Sequence, residues 1–485
     1  MSKAASFRQD LHLPAPLRIL AAWLLCFAGL MAGCTLVPEP PEEPGEVVDQ
    51  KQELVEHIKD TPTDIEAHAD LLRLQIRDGD AEGAEATVSH ALKFNGTDYR
   101  SHLLAAQYHR WQSDLLSAEK SLLTARDLAP QRLEPRVALS GLYHQTYLEA
   151  EELEQRRITL ELADPTFRDE FMLDLAYASA QLGRDAQAAE LATRLVANTA
   201  AAAEARSRAH ALLSEIALRS ADDKTAIEQL VAARKLRPAE AGLVQYAARL
   251  VTAVEDPTGL QAVFDDTLAT QDVLEARWAA LFGKWMLAVR TAEKGKKDPL
   301  LQDTDQWYLR MEAIAPGHPD TLTRHYQLQR LNPARDREAD ETRKKLEESE
   351  FGLPDSPTTL TAVVMLWRAE DALRIGAPQV GLQQLTKLEA REPGLPGLRV
   401  LRTIALFKAR DDDQCLGSIE AWQAENKEPD ALLESMRWWI MLRRGNGKQV
   451  MVEVEKNLEA PNNATLWIRA VARFHVYRAG AAKDG

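Results

Sequence analysis

The sequence predicts an all-α solenoid of stacked helical hairpins, with a regular N-terminal block and a more degenerate C-terminal block. Three observations carry this expectation. Leu72/Ala84/Ala91/Gly96, Ala106/Ala118/Ala125/Pro130 and Ser214/Ala226/Ala233/Pro238 each repeat steps of 12, 7 and 5 residues, and the first two sets lie 34 apart. A period of that length, with small residues at fixed slots and a helix breaker at its end, is what stacked helix pairs require. From about Val55 onward, apolar residues recur every three to four positions and rarely alternate, as in amphipathic helices. Only 6% of residues are aromatic, and the abundant Ala, Leu, Glu, Gln and Arg lose little rotamer freedom in a helix.

The 485 residues suffice for about three ordinary domains or one long array. A formal charge of -15 excludes a nucleic-acid partner, because binding a polyanion needs a concentrated basic surface.

Residues 1–33 read as a secretory signal. Lys3, Arg8 and Arg18 precede an uncharged run of 15 residues, Ile19 to Gly33, short of the ~20 that a spanning helix needs. Leu30-Met31-Ala32-Gly33-Cys34 resembles a bacterial lipobox, with Met31 where Leu is usual. That resemblance implies cleavage between Gly33 and Cys34, a lipid on the Cys34 sulfur and, with Thr35 in place of Asp, sorting to the outer membrane facing the periplasm. An uncleaved signal anchor is the alternative. With Cys26 removed and Cys34 acylated, Cys415 stands alone and reads as a small buried hydrophobe. Residues 34–54, which include the stretch TLVPEPPEEPGEVVDQ, are rich in Pro and Glu and read as an extended tether.

Residues 55–255 hold the regular repeats. Ala118 and Ala125 lie two turns apart on one helix, Ala106 on the helix before it, and Pro130 ends the pair. These residues resemble the tetratricopeptide (TPR) pattern, with Leu122, Val88 and Leu230 standing where that family has Phe. Leu139-Ser140-Gly141-Leu142-Tyr143 matches a second stretch of the consensus with one residue displaced, and a further unit runs through Leu175-Ala176, Gly183 and Ala188. Residues 256–355, with Pro257, Pro299, Pro316, Pro319, Pro333 and Pro354, are expected to form shorter or irregular helices, and Arg335 to Glu350 reads as a solvated helix or connector. Gly376, Leu385, Leu388 and Pro393 restore the spacing, so 356–480 is expected to be a second repeat block with a C-terminal cap.

The TPR resemblance implies that the first helix of each hairpin lines a concave groove. On that face lie Arg73, Ile76, Arg77, Leu103, Gln107, Arg110, Trp111, Tyr177, Gln181, Glu215 and Arg219. Arg, Trp and Tyr are enriched in interface hot spots, so an extended or helical segment of another envelope protein is one expectation here; ordinary solvated residues are the other. Ala69 and Arg73 stand where chaperone-binding relatives carry Lys and Asn, so recognition of a free C-terminal carboxylate is unsupported. Trp278, Trp285, Trp307, Trp367, Trp422, Trp438, Trp439 and Trp467 crowd the later half; for the apolar run Trp438-Trp439-Ile440-Met441-Leu442, core packing is the favoured reading and a second docking patch the sharper one.

Chemistry-bearing motifs are sparse. His68, His102 and His210 occupy one slot in three repeats, but hairpins about 8–10 Å apart cannot bring equivalent side chains to one metal, so core or rim histidines are expected. Gly445-Asn446-Gly447-Lys448-Gln449 lacks the leading Gly and the Ser/Thr of a phosphate loop. No cofactor beyond the Cys34 lipid, no metal, no nucleic acid and no small-molecule substrate is expected. The sequence thus points to a non-enzymatic protein-interaction scaffold for an envelope complex such as gliding-motility or type IV pilus/secretin machinery. A recruiter of peptidoglycan or polysaccharide-export enzymes is the alternative, and an envelope hydrolase the alternative of another class.

Overall fold

The computed structural model describes residues 44–298, 302–348, 353–354, 356–426, 430–456 and 463–484. The signal sequence, Cys34 and most of the tether lie outside the described residues. Helix α1 (Pro44–Asp60) leads into hairpins α2 (Ile65–Asp78) with α3 (Ala81–Asn95), α4 (Tyr99–Trp111) with α5 (Leu115–Leu128), and α6 (Glu134–Gln145) with α7 (Glu149–Leu162). The series continues through α8 (Pro165–Gln181) with α9 (Asp185–Ala197) and α10 (Ala203–Arg219) with α11 (Asp223–Leu236). Next come α12 (Ala241–Ala253), α13 (Gln261–Thr270), α14 (Leu274–Gly295), α15 (Gln302–Ile314), α16 (Pro319–Gln329) and α17 (Asp336–Glu348). Hairpins α18 (Leu360–Arg374) with α19 (Pro378–Arg391), α20 (Leu398–Lys408) with α21 (Asp412–Glu425), and α22 (Ala431–Arg443) with α23 (Gly447–Lys456) precede the last helix, α24 (Asn463–Asp484). Among the described residues there is no strand.

The repeat is built as its spacing requires. Leu72, Ala84, Ala91, Ala118, Ala125, Ser214, Ala226 and Ala233 have no surface in contact with water, because each small side chain sits where two helices approach most closely. The Ser214 hydroxyl donates to the Ala226 carbonyl at 2.6 Å, which measures that approach. Ala118→Leu forces extra methylenes into this contact and is expected to destabilise by about 1–3 kcal/mol. An unchanged midpoint in urea denaturation would refute the close-contact assignment.

A second marker of the repeat lies in the backbone. The turn between the two helices of a hairpin holds a left-handed residue at Gly79, Ser113, Tyr147, Gly183, Ala221, Gly376, Arg410 and Gly445. Several of these lie 34 residues apart, as Gly79, Ser113 and Tyr147 do. The conformation lets the chain reverse and hand its N–H groups back to the helix end, as Gly79 does to Gln75 and Ile76. Four of the eight carry a Cβ that clashes there. Ser113→Gly and Ala221→Gly are therefore expected to stabilise by about 0.5–1 kcal/mol each, since relieved strain exceeds the added unfolded-state entropy; a lowered melting temperature would contradict this. With regular hairpins, small residues at the contacts and this turn, the fold is tetratricopeptide-like.

The structure departs from the expected blocks in two places. Helix α1 begins at Pro44, inside the expected tether, because Leu54 packs with Ile58, Ala67 and Leu71, and Lys51 pairs with Asp78. Residues 256–355 hold helices α13 to α17 and two short 3₁₀ turns among the described residues. Pro319 and Pro333 sit at first-turn positions, where the missing N–H costs nothing. Finally, contacts divide the chain into a unit of 44–171 with 435–484 and a unit of 172–434, so the end of the expected 356–480 block belongs with the first hairpins. Trp438, Met441, Leu442, Val450, Ile468, Val471 and Phe474 share one core with Ala106, Leu115, Leu122, Leu139, Leu142 and Tyr143. A local period specifies hairpins but not which distant hairpin they stack on.

In the 172–434 unit, α18 packs against α12, α14 and α16, and α19 against α10. Within this unit the chain thus turns back on itself. Its core holds Phe264, Phe282, Trp285 and Trp367, all without exposed surface beyond 1%, and α13 rides so close to α14 that a Cβ on Gly283 would strike the Phe264 ring. Among the described residues no helix is long and apolar enough to cross a membrane.

Candidate protein-docking groove

The eleven predicted groove residues divide between the two units. In the 44–171 part, Arg73 is exposed and pairs with Asp70 one turn back at 2.8 Å, and Arg77 pairs with Asp78. Gln107 is exposed. The Arg110 guanidinium donates to Gln145 of the next hairpin at 3.0 Å. Ile76 and Trp111 turn inward onto Leu72, Val88 and Leu104, and Leu103 packs on the core shared with 438–474. The face here is therefore smaller than expected, because its apolar members are taken up by the fold.

In the 172–434 unit the predicted residues open onto a larger site. The Tyr177 hydroxyl donates to the Arg208 carbonyl at 3.2 Å, with the Arg208 guanidinium 5.7 Å from the ring centre, and Gln181 is exposed. Arg219 pairs with Glu215 and with Asp185, and it donates to the backbone carbonyls of Ala180 (2.8 Å) and Gly376 (2.7 Å). Glu215 and Arg219 thus hold the chain's own α18–α19 turn, an occupant that sequence spacing did not disclose. Gly376 is required there twice over: its φ is +79°, and a Cβ would collide with the Glu215 carboxyl.

Beyond that turn, α12, α16, α18 and α20 extend the same inner face. Arg249 bonds Asp320 at 2.5 Å and Asp371 at 2.7 Å; Arg324 bonds Asp371 and Arg374 bonds Asp320, both at 2.8 Å. The Thr252 hydroxyl also donates to Asp371. Arg324 is sandwiched 5.0 Å from the ring centres of both Phe282 and Trp367. Burial works to raise the Asp371 and Asp320 carboxyls, yet the surrounding guanidiniums hold Asp371 below and Asp320 well below the usual carboxylate range.

Around this locked centre stand side chains that water still reaches. Tyr177, Tyr246, Glu370 and Arg374 are half-buried, and the Lys408 side chain is exposed. Burial pushes the Glu370 carboxyl up, and the guanidiniums of Arg374 and Arg324 offset this in part. Lys408 donates to the Leu373 carbonyl at 3.0 Å. Burial of its amine end, with Arg374 beside it, pushes it down to about 8. Charges of both signs and two tyrosines on one solvent-reached inner face suit a polypeptide surface more than a small apolar ligand.

Sequence reading missed Tyr246, Arg249, Glu370, Arg374 and Lys408. A signal was present: Arg249 lies 34 residues after Glu215, and Lys408 lies 34 after Arg374. It was obscured because the intervening helices α13 to α17 depart from the repeat length.

The slot histidines close local contacts: His68 bonds the Asp64 carbonyl and His90, His102 bonds the Gly96 carbonyl, and His210 bonds Gln229. Cys415 is buried, and Trp438 is buried with Trp439 packed on Tyr147, as core packing requires. Burial depresses the imidazoles of His90, His318 and His475 below their ordinary value. A depressed histidine favours the neutral folded form, so its contribution is complete above about pH 6.5 and lost as the pH falls below it. The melting temperature is expected to drop between pH 7.5 and 5.5, and less so in His318→Gln; a flat profile over that range would contradict the assignment.

No family model matches the sequence, and no curated protein matches it. Among solved structures, the chain is similar to Pseudomonas aeruginosa pilF, at 14% identity and a TM-score of 0.31, covering 46% of this chain and 94% of that one. It is similar to PilW, a widely conserved type IV pilus biogenesis factor, at 17% identity and a TM-score of 0.32, covering 42% and 93%. A tetratricopeptide repeat protein from Parabacteroides merdae gives 12% identity and a TM-score of 0.32, covering 64% and 98%. Similarity at this level is a likeness between stacks of helical hairpins and says nothing of partners.

Proposed function

We propose that this chain is a non-enzymatic scaffold, lipid-anchored through Cys34 in the outer membrane and facing the periplasm, that holds other envelope proteins for assembly of a multi-protein complex such as motility or pilus/secretin machinery. The observation that carries the holding role is the inner face of the 172–434 unit, where Tyr177, Tyr246, Glu370, Arg374 and Lys408 from helices α8, α12, α18 and α20 stand within reach of water around a rigid ion-paired centre. Aromatic and cationic side chains on a preorganised frame lose little freedom on binding, which favours protein recognition. The lipobox-like Leu30–Cys34 string supports the anchor, and the Pro/Glu-rich stretch after it supports a spacer between bilayer and repeats.

The test combines Gln181→Ala with Lys408→Glu, both exposed, in the full chain, recovered from crosslinked envelopes. Proteins that copurify with the wild type are expected to be lost while the unfolding midpoint changes little. Recovery of the same set would overturn the groove as the holding site. In the same cells, Cys34→Ala is expected to leave the outer-membrane fraction; retention there would overturn the anchor.

A further inference from the structure

Around the locked centre of the 172–434 unit the charged side chains are closed in ion pairs, except for Glu370 and Lys408. Arg219 holds Glu215 and Asp185, Arg249 holds Asp320 and Asp371, Arg324 holds Asp371, and Arg374 holds Asp320. Among the described residues, the Glu370 carboxyl has neither a hydrogen bond nor an ion pair. The Lys408 amine has no carboxylate within ion-pair distance and donates only to the Leu373 carbonyl, at 3.0 Å. Glu370 and Arg374 lie one turn apart on one face of α18, and Lys408 reaches α18 at the residue before Arg374. The two open groups therefore flank Arg374, and both sense its charge.

The fold has no use for a carboxyl at position 370. A half-buried carboxylate without a partner costs stability, and burial accordingly pushes this one up. Arg374 and Arg324 offset that only in part, because their hydrogen bonds go to Asp320 and Asp371. An amide of the same shape carries a smaller burial penalty. Lys408 serves the end of α18 with one of its donors and leaves two more on an exposed side chain. One open acceptor and one open donor group thus remain on the face that water reaches.

We infer that Glu370 and Lys408 are the recognition charges of this groove, and that the partner segment held there presents a lysine or arginine to Glu370 and a carboxylate to Lys408. This rests on the reading of the face as a holding site and names the chemistry of what is held. Charge complementarity selects the occupant. An apolar segment would bury both groups unpaired, and a segment of one sign would satisfy one group and repel the other. A segment carrying both signs closes the two groups at once, and the ion pairs of Arg374, Arg249 and Arg324 stay as they are.

The experiment uses the full chain in living cells, with a photocrosslinking amino acid at Tyr246, and reads both the adduct yield and the sequence of the attached peptide. Glu370→Gln and Lys408→Gln are each expected to lower the yield at least tenfold, and Glu228→Gln, on the exposed side of α11, to leave it unchanged. The attached peptide is expected to contain both an acid and a base. In the purified chain, Glu370→Gln is expected to leave the unfolding midpoint unchanged or raised, so that a lost adduct is not a lost fold; a lowered midpoint would give Glu370 a structural role and overturn the inference. Full yield in either Gln variant, or an attached peptide lacking one sign of charge, would also overturn it while leaving the holding site standing. Absence of adducts from the wild-type chain, at Gln181 as well as at Tyr246, would overturn both.

Discussion

Asp371→Ala is expected to destabilise the 172–434 unit by about 3–5 kcal/mol, the scale for removing one member of a buried ion pair. Asp371 has no exposed surface, and it accepts from Arg249, Arg324 and Thr252. Deleting it leaves the Arg324 guanidinium, itself only 2% exposed, between two aromatic rings without the carboxylate that accepts its hydrogen bond. Arg249 retains Asp320, so most of the cost falls on Arg324. Removing both charges together, as Arg324→Met/Asp371→Leu, is expected to cost less than Asp371→Ala alone, because no unpaired ion remains. Urea unfolding followed by tryptophan fluorescence measures both. A loss under about 1 kcal/mol for Asp371→Ala would mean that water reaches the network and that the inner face is not a rigid frame.

Trp285→Ala is expected to cost a comparable 3–5 kcal/mol, through a cavity and not a stranded charge. Trp285 is fully buried, and its ring lies 5.8 Å from Tyr308, 6.2 Å from Phe282 and 6.4 Å from both His325 and Trp367. Its removal withdraws support from Phe282 and Trp367, the two rings that sandwich Arg324. The loss should therefore couple to Asp371→Ala. In the double variant the two costs are expected to sum to more than the measured total, as neighbouring sites do when they share partners. Strict additivity would show that the aromatic cluster and the ion network stand independently.

The hairpin repeat was legible because it depends on local chemistry. Ala84, Ala118 and Ala226 must be small wherever two helices touch, and Pro130 or Pro238 must follow a helix end, so the spacing is written in the sequence. The left-handed turns carry the same period, yet Ser113, Tyr147, Ala221 and Arg410 hide it, because tertiary packing there tolerates a Cβ in a strained conformation. Helix α1 was hidden by its Pro- and Glu-rich start; the contact of Leu54 and Ile58 with Ala67 and Leu71, and the Lys51–Asp78 pair, hold it.

The site was legible only in part. Tyr177, Glu215 and Arg219 were found from their slot in the repeat. Their engagement with Gly376 was not, since that contact joins residues 157 apart and no local pattern encodes it. The Asp371 network joins α12, α16 and α18 across 47 to 122 residues for the same reason. Charged residues scattered through helices resemble solvated faces until the fold brings them together.

The central claim is that proteins are held on the inner face of the 172–434 unit. Photocrosslinking amino acids placed singly at Gln181, Tyr246 and Lys408 on that face, and at the outward, exposed Lys224 and Glu228, test it in living cells. Heavier adducts with another envelope protein are expected from the first three positions and not from the last two. Adducts confined to Lys224 and Glu228, or absent from all three inner positions, would contradict it.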